Sequence, residues 1–460
     1  MQSTRIEHDS MGEIEVPGDA LWGAQTQRAI ANFGGEGGRF PIEVVHMVAL
    51  IKAAAATVNG RSGEVPEVGP SAGAAIRGAA LEVAEGRWDE QFPVALFQTG
   101  SGTSTNMNVN EVIAARASEL SQSVVDPNDQ VNACQSSNDV IASAVRLALQ
   151  VSVIEDLVAG LGELQQAFLD VAERFAGVVK PGRTHLMDAA PVFLGDEMGG
   201  YAAGIGRAVI SLRSVEEPLL RLPLGGTAVG TGLNAPAGWA EEVRAELHLL
   251  GLPVLAGPSN RFAAQSGQED LCDLSGRLRT VAVTLTKICN DLRLMASGPA
   301  TGFGEIVMPA LQPGSSMMPG KVNPVICESV LQVCARVIGN DATVAWSAAS
   351  GSLELNTYMP VMAASLLESI SLLAGASRRL ATKCVGGLEA NVERCRSMAE
   401  SSGAVVTGAA PLIGHVRAAA AARRASVEHR SIRDVLLADG VEEALLDDLL
   451  SVERMARGGR

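Results

Sequence analysis

Three long stretches of this chain contain no proline: between Pro127 and Pro181, between Pro258 and Pro299, and between Pro324 and Pro360. Each carries apolar residues at the three- and four-residue spacing of a helix face. In the first they are Ile154, Leu157, Leu161, Leu164, Phe168, Val171 and Phe175. In the second they are Leu271, Leu274, Leu278, Val281, Leu285, Ile288 and Leu292. Val330, Val333, Val337 and Val344 mark the third. Strand-like alternation is almost absent. The pattern predicts an all-α chain built on a bundle of long helices. The segment Leu278 to Met295 is apolar on more than one side (Val281, Val283, Leu285, Ile288, Leu292 and Leu294), which predicts oligomerisation.

Three regions follow. Residues 1–135 have a Gly-rich start and shorter helices, 136–392 hold the long helices, and 393–460 form a small Ala- and Arg-rich helical tail. Aromatics make up only 3% of the 460 residues, so the core is mostly Ala, Val, Leu, Ile and Met, side chains that favour close helix packing.

A net charge of -15 argues against nucleic acid, which requires a basic face. An anionic ligand would need locally placed cations and amide donors. The seven cysteines (Cys134, Cys272, Cys289, Cys327, Cys334, Cys384, Cys395) form no Cys-x-x-Cys pair and read as free thiols in a reducing compartment. Neither they nor the scattered histidines show metal-ligand spacing, so the residues offer no metal set. The N-terminal fifteen residues lack an apolar signal core, and no stretch is expected to span a membrane. The expected location is the cytoplasm.

Four polar islands interrupt the apolar helices. The most loaded is Gly314-Ser315-Ser316-Met317-Met318-Pro319-Gly320-Lys321-Val322-Asn323-Pro324. Its glycines and prolines forbid a regular helix, and its hydroxyls, lysine and amide suit a mobile lid. It is not a phosphate-binding P-loop: five residues separate the glycines and Val322 follows the lysine. A helix over roughly 325–340 follows, with Glu328 in its first turns, where a carboxylate can orient a histidine or merely complement the helix dipole.

The second island is Gln98 to Asn108, with Ser101, Gly102 and Thr103. Its amides and hydroxyls suit an oxyanion, and equally an ordinary helix cap. The third joins Asp126-Pro127-Asn128-Asp129, a turn sequence, to Gln135-Ser136-Ser137-Asn138-Asp139 at a helix mouth. The fourth is Lys180-Pro181-Gly182-Arg183-Thr184-His185, read as a loop that presents a histidine. Together they suit binding a small dicarboxylate and moving a proton beside it.

These islands, with Leu21 to Arg28 and Gly225 to Gly232, resemble the class II fumarate hydratases of the fumarase/aspartase superfamily over nearly the whole chain. Gly-Ser-Ser-x-Met-Pro-x-Lys-x-Asn is that superfamily's signature. The resemblance implies an all-α homotetramer in which three subunits build each active site, and reversible hydration of fumarate to (S)-malate, a tricarboxylic acid cycle step, without cofactor. It implies that Ser315 takes the proton from C3 and that His185, paired with Glu328, handles the water at C2. Lys321 is implied to stabilise the intermediate. Ser101, Gly102, Thr103, Ser136, Ser137, Asn138, Thr184, Ser316, Val322 and Asn323 are implied to bind carboxylate and water. His185 after Arg183-Thr184, and Gly320 before Lys321, favour fumarase over aspartase.

Some positions depart from the family pattern. Asp126 replaces the usual histidine in a second dicarboxylate site with Asn128 and Asp129, where its charge would repel the ligand. Ala133-Cys134, Ile141-Ala142-Ser143, Phe262-Ala263 and Gly408-Ala409 also differ. They keep two alternatives open: a C–N lyase acting on aspartate or another succinyl compound, and an inactive structural or binding homologue.

Overall fold

The computed structural model describes residues 3–458. From the N-terminus the chain forms β1 (Thr4–Asp9), β2 (Gly12–Pro17), α1 (Ala24–Phe33), α2 (Ile42–Ser62), α3 (Pro70–Ala84), α4 (Thr103–Ser121), α5 (Ser137–Val151) and α6 (Ala159–Arg174). Then come β3 (Val179–Thr184), β4 (Met187–Phe193), α7 (Leu194–Arg213), α8 (Glu216–Leu219), α9 (Trp239–Leu249), α10 (Arg261–Ser266), α11 (Glu269–Met295) and β5 (Ile306–Val307). The last elements are α12 (Val325–Ala349), α13 (Met359–Lys383), β6 (Glu389–Ala390), α14 (Val392–Ser401), α15 (Val406–Ile413), α16 (His415–Glu428), α17 (Ile432–Ala438), α18 (Glu443–Leu449) and α19 (Val452–Arg457).

The apolar stripes account for the long helices. All seven stripe residues of α11, from Leu271 to Leu292, are at most 2% exposed. Leu157, Leu161, Leu164, Phe168 and Val171 are fully buried along α6 and the π-turn Ser152–Val158 before it. α12 runs on to Ala349, well past the predicted end near 340, because Val344 continues its buried face. Fully burying one such side chain contributes roughly 1.5–3 kcal/mol, so each stripe dominates its helix's stability.

The helices dominate as the stripes predict, and two details add to that picture. Three antiparallel two-stranded sheets are present, β1–β2, β3–β4 and β5–β6. By length and hydropathy, Ile42–Ser62 and Met359–Gly387 could cross a membrane, but 67% of each apolar window is buried inside the chain, as in core helices.

The chain packs as two compact units. The first comprises Met1–Val158, Ile210–Thr280 and Arg336–Leu372. Its centre is α2, an Ala-rich helix against which α3, α5 and α9 pack. Ala53, Ala54 and Ala55 are fully buried there, and their small side chains permit close approach. The second unit comprises Ala159–Val209, Val281–Ala335 and Leu373–Arg460. Its C-terminal helices share a core of Ala399, Val405, Ala409, Ala421, Val435, Leu436 and Leu446.

Candidate functional site

In the first unit two helix mouths carry the predicted binding residues. α4 starts at Gly102, whose φ of 75° lies in the left-handed region. An added Cβ would also lie 2.9 Å from Ile141 Cγ2, so glycine is required twice over. Across this turn the Ser101 and Thr103 hydroxyls share a hydrogen bond of 2.8 Å.

α5 begins with a capping box. Ser136 accepts from the Asn138 N–H, and the Ser136 N–H donates to Asp139 Oδ1 at 3.0 Å. Asp139 does more than cap. Its Oδ2 accepts the N–H groups of Gly225 and Thr227, each at 2.9 Å, which fastens the 225–232 glycine segment to the mouth. Burial pushes the Asp139 carboxyl up, while these three donors and the Lys52 charge pull it down. The Asn138 amide donates to the Ala228 carbonyl at 2.8 Å. Asn106 Nδ2, from the second turn of α4, donates to Ser137 Oγ at 3.2 Å, so the two predicted islands meet.

A cavity of about 940 Å³ opens here. Asn128, Asp129, Asn132, Gln135, Ser136 and Thr227 are among its lining residues. Asp126 caps a π-turn, Pro127–Val131, rather than a simple turn. Its Oδ1 accepts the N–H groups of Asn128 and Asp129, both at 2.7 Å. Those donors therefore already hold a carboxylate of the chain itself.

In the second unit, Lys180 to Thr184 is a strand rather than the predicted loop. β3 pairs with β4 in the register Thr184↔Met187, with a bulge between Pro181 and Arg183. His185 and Leu186 are therefore the two-residue turn of a hairpin. Both have positive φ, 55° and 60°. Such a turn favours Asn-Gly, so His-Leu is strained. The hairpin is anchored below the tip. Arg183 donates to Glu305 Oε1 at 2.7 Å and stacks over the Phe303 ring, and the buried Lys180 donates to Glu197 at 2.8 Å. Thr184 and His185 are exposed.

The Gly314–Pro324 segment is irregular, as predicted. Its neck is closed by its own bonds: the Gly314 N–H donates to the Lys321 carbonyl at 2.8 Å, and Asn323 Nδ2 to the Gly314 carbonyl at 2.7 Å. A Cβ on Gly314 would lie 2.5 Å from the Lys321 oxygen, so the neck tolerates only glycine. Within the loop Ser315 Oγ accepts the N–H groups of Met317 and Met318, both at 3.1 Å. Two amides aimed at one hydroxyl oxygen favour its alkoxide. Ser316, Lys321 and Val322 are exposed, and Asn323 and Glu328 half-buried. Among the described residues His185 and Glu328 share no hydrogen bond or ion pair within one chain.

The sequence reading missed the polar layer behind the α5 mouth. Lys52, on α2, is fully buried, and its Nζ donates to Asn132 Oδ1 at 2.8 Å. The available signal was a lone lysine in the apolar run from Val44 to Ala56. Glu111 was missed as well: its carboxylate accepts the N–H groups of Gly23, Gln25 and Thr26 and holds the start of α1.

The chain matches a family model described as lyase over residues 12–339. It is 47% identical over 464 residues to class II fumarate hydratase 1 of Pseudomonas aeruginosa, covering 99% of both chains. It is 48% identical to the class II fumarate hydratase of Mycobacterium tuberculosis, covering 98% of this chain and 94% of the relative. Among solved structures, a class II fumarase from Schistosoma mansoni superposes with a TM-score of 0.95 at 37% identity, over 99% of each chain. A fumarate lyase:delta crystallin from Brucella melitensis gives 0.94 at 43%, over 99% of this chain and 100% of the other. With hydroxyl-lined helix mouths, an amide-held serine in the signature loop and full-length identity near one half, the chain belongs to the lyase family and, within it, to the class II fumarate hydratases.

Proposed function

We propose that this enzyme reversibly hydrates fumarate to (S)-malate, a step of the tricarboxylic acid cycle. In the dehydration direction Ser315, as alkoxide, takes a proton from C3. Electron density moves into the adjacent carboxylate, giving a doubly charged aci-carboxylate. Lys321, Asn323 and the amides of the helix mouths stabilise that charge. His185, oriented by Glu328, delivers a proton as the C2 hydroxyl leaves as water. Ser101, Gly102, Thr103, Ser136, Ser137, Asn138, Thr184, Ser316 and Val322 hold the carboxylates and the water. The observation that carries the reading is the pair of N–H groups held on Ser315 Oγ, since a serine hydroxyl otherwise remains protonated at neutral pH.

Because His185 and Glu328 do not meet within one chain, we assign them to different subunits of a homotetramer, three of which build each site. Support comes from apolar residues left open on the long helices: Ile210 is 71% exposed and Val283 56%. We further propose a cytoplasmic enzyme with three sequence regions, 1–135, 136–392 and 393–460. The Asp126 carboxylate, already seated on the Asn128 and Asp129 amides, supports an internal cap there in place of a second dicarboxylate.

The test is loss of fumarate absorbance with purified, folded tetramer, with and without ammonia. Ammonia-independent loss supports hydration. No turnover at millimolar fumarate sinks it, and ammonia-dependent loss without malate assigns a C–N lyase instead.

A further inference from the structure

The buried ammonium of Lys52 lies behind the α5 mouth, with no ion-pair partner among the described residues. Three donors converge on one acceptor there: Asn132 Oδ1 takes Lys52 Nζ at 2.8 Å, and Asn106 Nδ2 and Asn110 Nδ2 at 3.2 Å each. Asn106 Nδ2 is shared with Ser137 Oγ. A hydroxyl that accepts from an amide keeps its own proton for a different acceptor.

The charges around Lys52 are accounted for. The Asp139 carboxylate on α5 favours the charged form of Lys52, and that carboxylate is committed to the N–H groups of Ser136, Gly225 and Thr227. On the other helices packed against α2, Glu82 is paired with Arg116, Glu246 with Arg61, and Glu111 with the N–H groups at the start of α1. Arg146, also on α5, is turned to Gln268 and Asp270. A cation buried with so little compensation beside a helix N-terminus is an electrostatic vacancy for an anion.

We propose that Lys52 is a positioning residue for the dicarboxylate: its ammonium fixes Asn132, Asn106 and the Ser137 hydroxyl, and a substrate carboxylate at the α5 mouth supplies the negative charge the buried cation lacks. This rests on the fumarate reading above and adds to it a residue that does not touch substrate.

Burial pushes the Lys52 ammonium down to about 7, so its charge is present in mild acid and lost as pH rises. The experiment measures KM and kcat for fumarate from pH 6 to 9 in the wild type, Lys52→Met and Lys52→Arg, with a thermal melt for each. The wild-type KM is expected to rise about tenfold as pH climbs through the Lys52 titration, with kcat changing far less. Lys52→Met should show the raised KM at pH 6 and no inflection. Lys52→Arg, charged throughout, should keep KM low at pH 8. A Lys52→Met enzyme with the wild-type KM profile overturns the proposal.

If the variants do not fold, NMR of isotope-labelled lysine in the wild type decides, because the chain has only five lysines. The Lys52 signal should titrate near neutrality and move to higher pH when succinate binds. No movement with saturating succinate overturns the proposal. A wild-type chain that leaves fumarate untouched at every pH refutes the reaction instead, and the succinate titration then tests Lys52 alone.

Discussion

The α5 mouth and the 314–324 loop carry the same kinds of group, hydroxyls and amides, and hold them in opposite ways. At the mouth the polar side chains are tied to neighbouring elements: Asp139 accepts three backbone N–H groups, Asn106 donates to Ser137 and Asn132, and Asn138 donates to the Ala228 carbonyl. The loop is pinned only at its neck, and its tip is open, with Met317 88% exposed. A rigid, prepaid mouth suits holding a carboxylate in one orientation. A loop closed by its own bonds can move as a piece without unfolding its surroundings, which suits delivering a base to a bound substrate.

That contrast predicts different failures. The largest concerns the loop: Ser315→Ala should lower kcat about a thousandfold or more, with the melting temperature unchanged, because the side chain supports chemistry and little packing. Stopped-time assays beside a thermal melt check both halves. At the mouth the balance reverses. Asp139→Ala leaves three N–H groups without this partner, two of them buried, and should destabilise the fold by about 3 kcal/mol, seen as a shifted denaturant midpoint. A variant that melted normally would show the mouth to be less fixed than its hydrogen bonds indicate.

The hairpin tip sharpens the comparison further, since it is strained as well as exposed. His185→Asn should cost about a hundredfold in turnover while keeping the turn, because asparagine accepts positive φ. If activity survived, the proton at C2 would have to be handled by another group. The smallest effect is at Leu186→Gly, which relieves the second left-handed residue and should raise stability by up to about 1 kcal/mol in the same melt.

The long helices were legible because each stripe repeats over about four to six turns and a helix is the only period that fits it. The hairpin was not. Pro181 and Pro191 stand opposite each other in its register, and proline ordinarily argues against a strand. His185 was found in the right segment for a partial reason, as a loop histidine, whereas the fold presents it on a rigid two-strand support. The signature loop and the α5 cap were readable from residue type alone, since Ser136 and Asp139 stand at capping-box spacing. Lys52 was hidden because its partner Asn132, and the Asn106 and Asn110 amides that share that acceptor, come from segments that only the fold brings together. Asp126 was noted as an acid out of place. That it satisfies the turn's own amides required coordinates.

The most direct test follows the product. Folded enzyme is incubated with fumarate in deuterium oxide without ammonia, and the mixture is read by proton NMR. The account predicts malate carrying one deuterium at C3, formed by the wild type and not, on the same time scale, by Ser315→Ala. Unchanged fumarate, or malate formed equally fast by both proteins, would contradict it.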